Sequence, residues 1–458
     1  MTDFFDKVKR YRDPERMAAD YLKAYYSNEK IEYPINPFKM LKDSGTIFVL
    51  GNYHKLEGLY IPPTSSDDIA FIGINNKRPI TRQRFTAAHE LCHHLRDSDK
   101  EIACPIGNKD ETEYFADGFA SALLMPIDEL IKQVNDHKAN KFDRYITFDS
   151  VLEIADYFGV SFEACLFRIA YRIHAIEGNT ESKALRKRAQ KYSPDKKRKE
   201  KQMNYLRLYE GLIDSYGDIL GFKPNDHARL VFQNDYIYND SRMEGVGISM
   251  EEAAEIVTDI RLNKQDSEYC SEANEAFLSV AGHYAMYQDI FALPVKEKCS
   301  VFDAVGLNKK LFSYYPHPES YGGCFRQSNT LVLGAKFETI PYHLIPTEML
   351  KIDDTVKSLI NNKDTLSLSE YIKAVIRVHH SLTVIHPFAD GNGRTLRAFF
   401  NVLLIRGGIT PIYIKLEEKD EYLNALSVAD TCGSYTELYE CIYKVLLRSS
   451  VELNKACF

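Results

Sequence analysis

The chain has 458 residues, 45% hydrophobic and 27% charged, with a formal net charge of −7. That length asks for two to four domains, and the balance of a globular protein with an acidic excess argues against general nucleic-acid binding. No apolar run resembles a signal sequence and no stretch of about 18 apolar residues offers a bilayer span, so a cytoplasmic protein without a membrane partner is expected. The nine cysteines are scattered without a CxxC, which reads as reduced, packed thiols rather than a disulfide framework or thiolate zinc site.

Residues 4–27 alternate charged and apolar positions at helical spacing, and NPFKMLKDSG predicts a short helix ending at Gly45. TIFVLGNYHKLEGLYIPP and DDIAFIGINN are β-rich, with turn residues between them. RQRFTAAHELCHHLRD and ETEYFADGFASALLMP follow as helices, the second stopped by Pro126, and shorter helices, SFEACLFRIAYRI among them, run to about 175. Residues 183–201, KALRKRAQKYSPDKKRKEK, carry ten Lys/Arg against two acids. They read as a solvated linker or exposed helix pair, with an acidic-partner patch as the rival reading. Beyond them the pattern is helical to the end, except for GGCFRQSNTLVLGAKFETIP (322–341), which reads as a β-hairpin.

In AAHELCHHL, His89 and His93 are i and i+4, so both imidazoles leave one helix face and make half of a tetrahedral zinc site. Glu90 between them is placed as a general base for water. Glu113 is the candidate third ligand. It is i, i+4 with Asp117, so one of the pair could ligate while the other orients a histidine. These two runs and the upstream IEYPINPFKMLKDSGTIFV resemble the ImmA/IrrE family of zinc metallopeptidases over about residues 1–175. The resemblance implies an α+β zincin-like domain at 1–180, zinc on His89, His93 and Glu113, and Glu90 as base. Cys92 stands where that family usually has glycine, and Asp117 where it often has asparagine.

Residues 386–397, HPFADGNGRTLR, are the second constellation. A histidine before a Gly-Asn-Gly turn that opens a helix puts backbone N–H groups where they can hold an anion. Arg394 and Arg397 can reach one polyphosphate, Asp390 supplies a magnesium carboxylate, and His386 can take a proton from a hydroxyl. The run resembles the Fic family signature H-x-F-x-[D/E]-GNGR-x-x-R at every fixed position, over about 204–458. The resemblance implies an all-α domain with a small hairpin flap at 322–341 that pairs with a target segment. It also implies transfer of AMP from Mg-ATP to a Ser, Thr or Tyr hydroxyl of a target protein. His386 would be the base and Asp390 the magnesium ligand. Gly391, Asn392 and Gly393 would hold the α-phosphate region, and Arg394 and Arg397 the outer phosphates. Tyr422 is assigned either to the adenine pocket or to the core.

Many Fic proteins carry an inhibitory [ST]-x-x-x-E-[GN] segment whose glutamate pairs with the second arginine. Residues 239–256, NDSRMEGVGISMEEAAEI, are similar, with Glu244 before Gly245, Asp240 in the Ser/Thr position and SMEEAAEI as a short inhibitory helix. IHAIEGNT, with Glu177, is the rival segment. The resulting expectation is a metallopeptidase-like domain at 1–180, a basic linker at 181–203 and a Fic domain at 204–458. Such a chain is a protein adenylyltransferase autoinhibited by Glu244 and fused to a zinc endopeptidase with its own protein substrate. Two rivals stand: chiefly a peptidase controlled by its Fic part, or an inactive sensing module joined to a Fic enzyme. The oligomeric state, a homo-oligomer included, is left open.

Overall fold

The computed structural model describes residues 4, 7–27, 29–65, 68–98, 102–105, 110–217, 226–264, 269, 274–295, 298–332 and 336–457. The chain divides into two compact units, Met1–Tyr216 and Gly217–Phe458.

In the first unit α1 (Pro14–Tyr26) starts at Asp13, whose side chain accepts from Glu15 N, and α2 (Pro37–Asp43) starts at Asn36, which accepts from Phe38 N and Lys39 N. Both have proline in the first turn, where its missing N–H costs nothing. β1 (Ile47–Gly51), β2 (Leu56–Ile61) and β3 (Phe71–Asn75) form a sheet completed by β4 (Ile102–Pro105), in the order β1-β3-β2-β4. β1 runs parallel to β3, and β2 is antiparallel to β3 and to β4, so β4 is an edge. α3 (Ile80–Arg96) packs on β2 and β3, and α4 (Glu111–Leu124) packs on α3. Arg84 of α3 is buried and donates to Ile35 O, Phe158 O and Gly159 O. One guanidinium thus satisfies carbonyls from two loops and fixes the helix that carries both histidines.

Six helices complete this unit: α5 (Ile127–Asp136), α6 (Phe148–Phe158), α7 (Phe162–Arg168), α8 (Ser182–Tyr192), α9 (Pro194–Glu200) and α10 (Leu206–Tyr216). The expected basic linker is therefore helical and docked. Leu185 and Ala189 of α8 are buried, and Arg198 of α9 is buried against Asp156 at 2.6 Å and donates to Asn204 O. The expected start of the second domain at 204 also moves, because α10 belongs to the first unit. Tyr216 Oη accepts from Leu50 N at 2.9 Å, and Asn36 Nδ2 donates to Gly211 O at 2.9 Å.

The second unit is built of α11 (Asp226–Met243), α12 (Met250–Arg261), α13 (Glu275–Ala292), α14 (Asp303–Leu311), α15 (Ile345–Asn361), α16 (Leu368–Ile385), α17 (Asn392–Arg406), α18 (Lys419–Cys432) and α19 (Thr436–Cys457). α17 is buried on nearly every side, through Leu396, Phe399, Phe400, Val402, Leu403 and Leu404, and so is the core of the unit. The expected hairpin at 322–341 has no strand among its described residues, and 333–335 lie outside them. Its arms are tied instead by Thr339 Oγ1, which donates to Thr330 O, and by Arg326, which donates to Ser328 O and Ile340 O. No described helix is long and apolar enough to cross a membrane.

Candidate active sites

In the first unit α3 presents His89 and His93 toward α4. Their Nε2 atoms lie 3.1 Å apart, and Glu113 reaches both, at 3.3 Å from His89 and 3.4 Å from His93. Asp117 Oδ1 accepts from His89 Nδ1 at 3.0 Å, and Asp97 Oδ2 accepts from His93 Nδ1 at 3.0 Å. A carboxylate only accepts, so each Nδ1 carries hydrogen, and two neutral rings would turn bare Nε2 lone pairs on each other beside an anionic Glu113. The arrangement requires a cation at its centre. Without metal a proton fills that need: burial opposes charge on His93, but Asp97 and Glu113 outweigh it and lift the imidazole to about 9. Burial would raise Glu113, but the two imidazoles hold its carboxyl below the usual range.

Cys104, on the edge strand β4, joins the group. Its Sγ lies 3.4 Å from His89 Nε2 and 3.6 Å from Glu113 Oε1, and all four donor atoms fall within 4.8 Å of one another. The cysteines were expected to be mostly packed thiols, and this one stands instead among possible metal donors. It carried no local signal, because its place depends on β4 pairing with β2. Asp97, four residues after His93, has a spacing that itself signals a partner for that imidazole.

Glu90 is fully buried and neither of its oxygens is in a well-formed hydrogen bond; burial raises its carboxyl above the ordinary range. Gly58 of β2 makes room for it, since a Cβ there would lie 2.1 Å from Glu90 Oε1. A carboxylate with orphan oxygens beside two imidazoles, a thiol and a second carboxylate is a donor set that fits a zinc ion and a base for its water. A cavity of about 20 Å3 beside His89, Glu90 and Cys104 has room for about one water.

In the second unit α16 ends at His386, in the left-handed region at φ 51, and the loop turns again at Gly391, φ 71, to open α17. A Cβ on Gly391 would meet Leu311 at 2.6 Å, so this position suits glycine by both conformation and space. The loop is stapled by Asn392, whose side chain accepts from Phe388 N at 2.9 Å and donates to Phe388 O at 2.8 Å. Its amide is thereby committed to the loop, which leaves the backbone amides of the first turn of α17 as the donors able to meet an anion. Arg326 donates to the carbonyl of His386 at 2.8 Å and so fixes the residue before the turn. Burial, with Arg326 nearby, depresses the His386 imidazole below its ordinary value, so the ring is neutral near pH 7. Asp390 is exposed, takes the Gly391 amide on Oδ1 and lies 3.5 Å from Arg394. Arg394 is buried with its Nε unpartnered.

Arg397 is held by two carboxylates. Asp240 Oδ1 lies 2.5 Å from Nε, and Glu244 Oε1 lies 2.6 Å from Nη2. Asp240 is buried on the last turn of α11 and also meets His283 Nε2 at 2.9 Å, while Glu244 follows that helix at its C-terminal end. The run SMEEAAEI after Gly245 forms a helix as expected, α12, started by a Ser249–Glu252 capping box, while Glu244 itself follows the end of α11. Burial opposes charge on Asp240, but Arg397 and His283 outweigh it and pull the carboxyl down to about 2. A Cβ on Gly393 would lie 2.9 Å from Arg397 Nη1 and 3.1 Å from Glu244 Oε1, so this pair sits against the phosphate-loop backbone. Tyr422 is 2% exposed and bonded to His379 Nε2 at 2.7 Å, and it lines a small cavity with Arg397 and His379.

Together these features define a buried metal-type donor group in one unit and a helix-opening anion loop with a paired arginine in the other. Residues 52–170 match the IrrE N-terminal-like domain, Peptidase M78, and residues 299–404 match the Fic/DOC family. The two matches fall in different units of the chain, consistent with a fusion of an IrrE-like domain and a Fic domain. A segment of 71 residues is 38% identical to protein adenylyltransferase fic-1 of Caenorhabditis elegans, covering 16% of this chain and 14% of that protein. A segment of 109 residues is 35% identical to protein adenylyltransferase Fic of Aedes aegypti, covering 24% of this chain and 20% of that protein. The solved structure of C. elegans Fic-1 (aa134–508) is similar at 20% identity and a TM-score of 0.45, covering 68% of this chain and 87% of that one.

Proposed function

We propose that the second unit transfers AMP from Mg-ATP to a hydroxyl side chain of a target protein. The observation that carries this reading is the loop from His386 to Arg397, in which an imidazole depressed by burial precedes the glycine turn that opens α17 and two arginines follow on that helix. The reading draws support from the adenylyltransferases that share this segment. His386 would take the hydroxyl proton as the new P–O bond forms and pyrophosphate leaves. The backbone around 391–393 would hold the α-phosphate region, Arg394 and Arg397 the outer phosphates, and Asp390 the magnesium ion. Glu244, on the Nη2 end of Arg397, would occupy the place of a phosphate oxygen and so restrain the reaction. Incubation with radiolabelled ATP and candidate protein targets tests this: the wild type labels protein, and His386→Ala abolishes labelling while retaining Mg-ATP affinity in calorimetry. Loss of ATP affinity in the variant, or undiminished labelling, defeats the assignment.

The first unit we read as a zinc-dependent hydrolase of a protein substrate, on the strength of Glu90 with its orphan oxygens beside the four-donor group. His89, His93 and Glu113 would hold the ion, Asp117 and Asp97 would orient the imidazoles, and Glu90 would accept a proton from water. Bound zinc would supply Lewis acidity and acidify that water.

A further inference from the structure

We propose that Cys104 is a fourth protein ligand of the zinc ion, so that the resting centre is closed and the hydrolase is latent until the sulfur leaves. The inference rests on the zinc reading of the first unit and concerns how that site is regulated. Zinc–nitrogen bonds of about 2.0–2.1 Å and a zinc–sulfur bond of about 2.3 Å make the edges of a ligand tetrahedron about 3.3–3.6 Å long. The separations found are 3.1 Å between the two imidazole nitrogens, 3.3 and 3.4 Å from these to Glu113, 3.4 Å from Cys104 to His89 and 3.6 Å from Cys104 to Glu113. Five of the six edges are thus close to these lengths, and the sixth, from Cys104 to His93, falls within 4.8 Å, which puts Cys104 on the remaining side of the group as its fourth donor.

A closed four-ligand centre is the mark of structural zinc, whereas a hydrolytic centre keeps one position for water. The remainder of this site is not that of structural zinc. Glu90 is buried with neither oxygen in a well-formed hydrogen bond and with the Cys104 thiol as its polar neighbour, a costly placement that a purely structural site gives no reason to keep. The chain even places glycine at position 58 to admit that carboxylate. A base is thus built in, and the corner its water needs is filled by a thiol from a different element, the edge strand β4. The group that closes the site can leave it without disturbing α3 or α4, which carry the other ligands and the base. The cavity beside Glu90 and Cys104 gives a water somewhere to stand once the sulfur has left.

Cobalt(II) in place of zinc in the full-length chain reports both the sulfur ligand and an open position by absorption. The wild type is expected to show an intense near-ultraviolet sulfur-to-cobalt charge-transfer band, and its visible ligand-field bands to ignore added acetohydroxamate. Cys104→Ser should bind cobalt at the same stoichiometry, lose the charge-transfer band, and shift its visible bands with acetohydroxamate. Cobalt bound by the wild type without a charge-transfer band, or wild-type bands shifted by acetohydroxamate as in the variant, overturns the closure and leaves the zinc reading standing. The band is read on unmutated protein, so that test holds even if the variant folds poorly. Absence of cobalt binding, or equal binding by His89→Ala and His93→Ala, overturns the zinc reading itself and the inference with it.

Discussion

The two carboxylates on Arg397 are predicted to act in opposite directions. Asp240 takes Nε from within the core, is 5% exposed at its side chain, and is anchored by His283; Glu244 takes Nη2 and is 33% exposed. The Nη2 contact lies beside the Gly393 backbone, where a phosphate must sit, and the Nε contact is made from the helix behind. Glu244 then competes with nucleotide, while Asp240 holds Arg397 in position for it. An exposed ion pair contributes about 0–1 kcal/mol, and breaking a buried one costs about 3–5 kcal/mol. Glu244 lies between these limits, so about 1–3 kcal/mol is a fair range, equivalent to about 5- to 150-fold. Glu244→Gly should raise AMP incorporation within that range at subsaturating ATP. Asp240→Asn should lower it, and should do so in the Glu244→Gly background as well, chiefly by weakening ATP binding. The assay is incorporation of labelled AMP at equal protein and a series of ATP concentrations. Equal signals from wild type and Glu244→Gly would refute the competition argument, and a rise in Asp240→Asn would make Asp240 a second blocking group.

Purified protein should hold about one zinc per chain by metal analysis, with the metal lost in His89→Ala and in His93→Ala; undiminished zinc in the double variant removes the site. Glu90→Gln should leave AMP transfer unchanged, because Glu90 belongs to the first unit and the His386–Arg397 loop to the second; silenced transfer in that variant would show that the two units are coupled. AMP transfer should hold level from pH 8 to 7 and fall only below the ordinary imidazole range. The sign follows from His386, whose depressed pKa keeps the basic form present above it and loses that form as pH falls through it. A rate already falling between pH 8 and 7 would assign the proton acceptor elsewhere.

What could be read from sequence was what lies close along the chain. His89, His93 and Glu90 are fixed by one helical turn, and Gly391 and Gly393 by the turn that opens α17, so these placements needed no tertiary information. Asp117 as the partner of His89 was one of two roles open to the Glu113–Asp117 pair, and packing of α4 on α3 chose between them. Cys104 depended on strand pairing, which periodicity cannot supply for a four-residue edge strand. The 183–201 run left both a solvated linker and an exposed helix pair open, and the structure has the helix pair, docked. Its charge count is that of a linker, yet Leu185, Ala189 and Arg198 are spaced to bury three side chains on the first unit, and Arg198 finds Asp156 there. The same limit applied to Tyr422, since only the fold shows its hydroxyl already taken by His379.

Asp240 illustrates how a departure from a familiar pattern can carry more than a match. A hydroxyl in that place could hydrogen-bond only as a neutral group, whereas an ionised carboxylate on Arg397 Nε fixes both the charge and the direction of the guanidinium. The arginine then stays presented whether or not Glu244 is in place, so the release of Glu244 needs no rebuilding of the site. The first unit follows the same logic if Cys104 closes it: His89, His93 and Glu113 remain assembled by Asp117, Asp97 and α4 while a single side chain from another element leaves. In each unit groups that would do chemistry are held by carboxylates, half-buried Asp117 and Asp97 in the first and buried Asp240 in the second. The group that would block them comes from outside the helix that carries them. An intramolecular blocker of this kind acts at high effective concentration. It therefore yields only to a ligand that binds the same atom well, a phosphate oxygen at Arg397 or a stronger ligand for sulfur or for metal at Cys104. That requirement separates the two controls: raising ATP should relieve the Arg397 block in the wild type and leave the cobalt spectrum of the first unit unchanged.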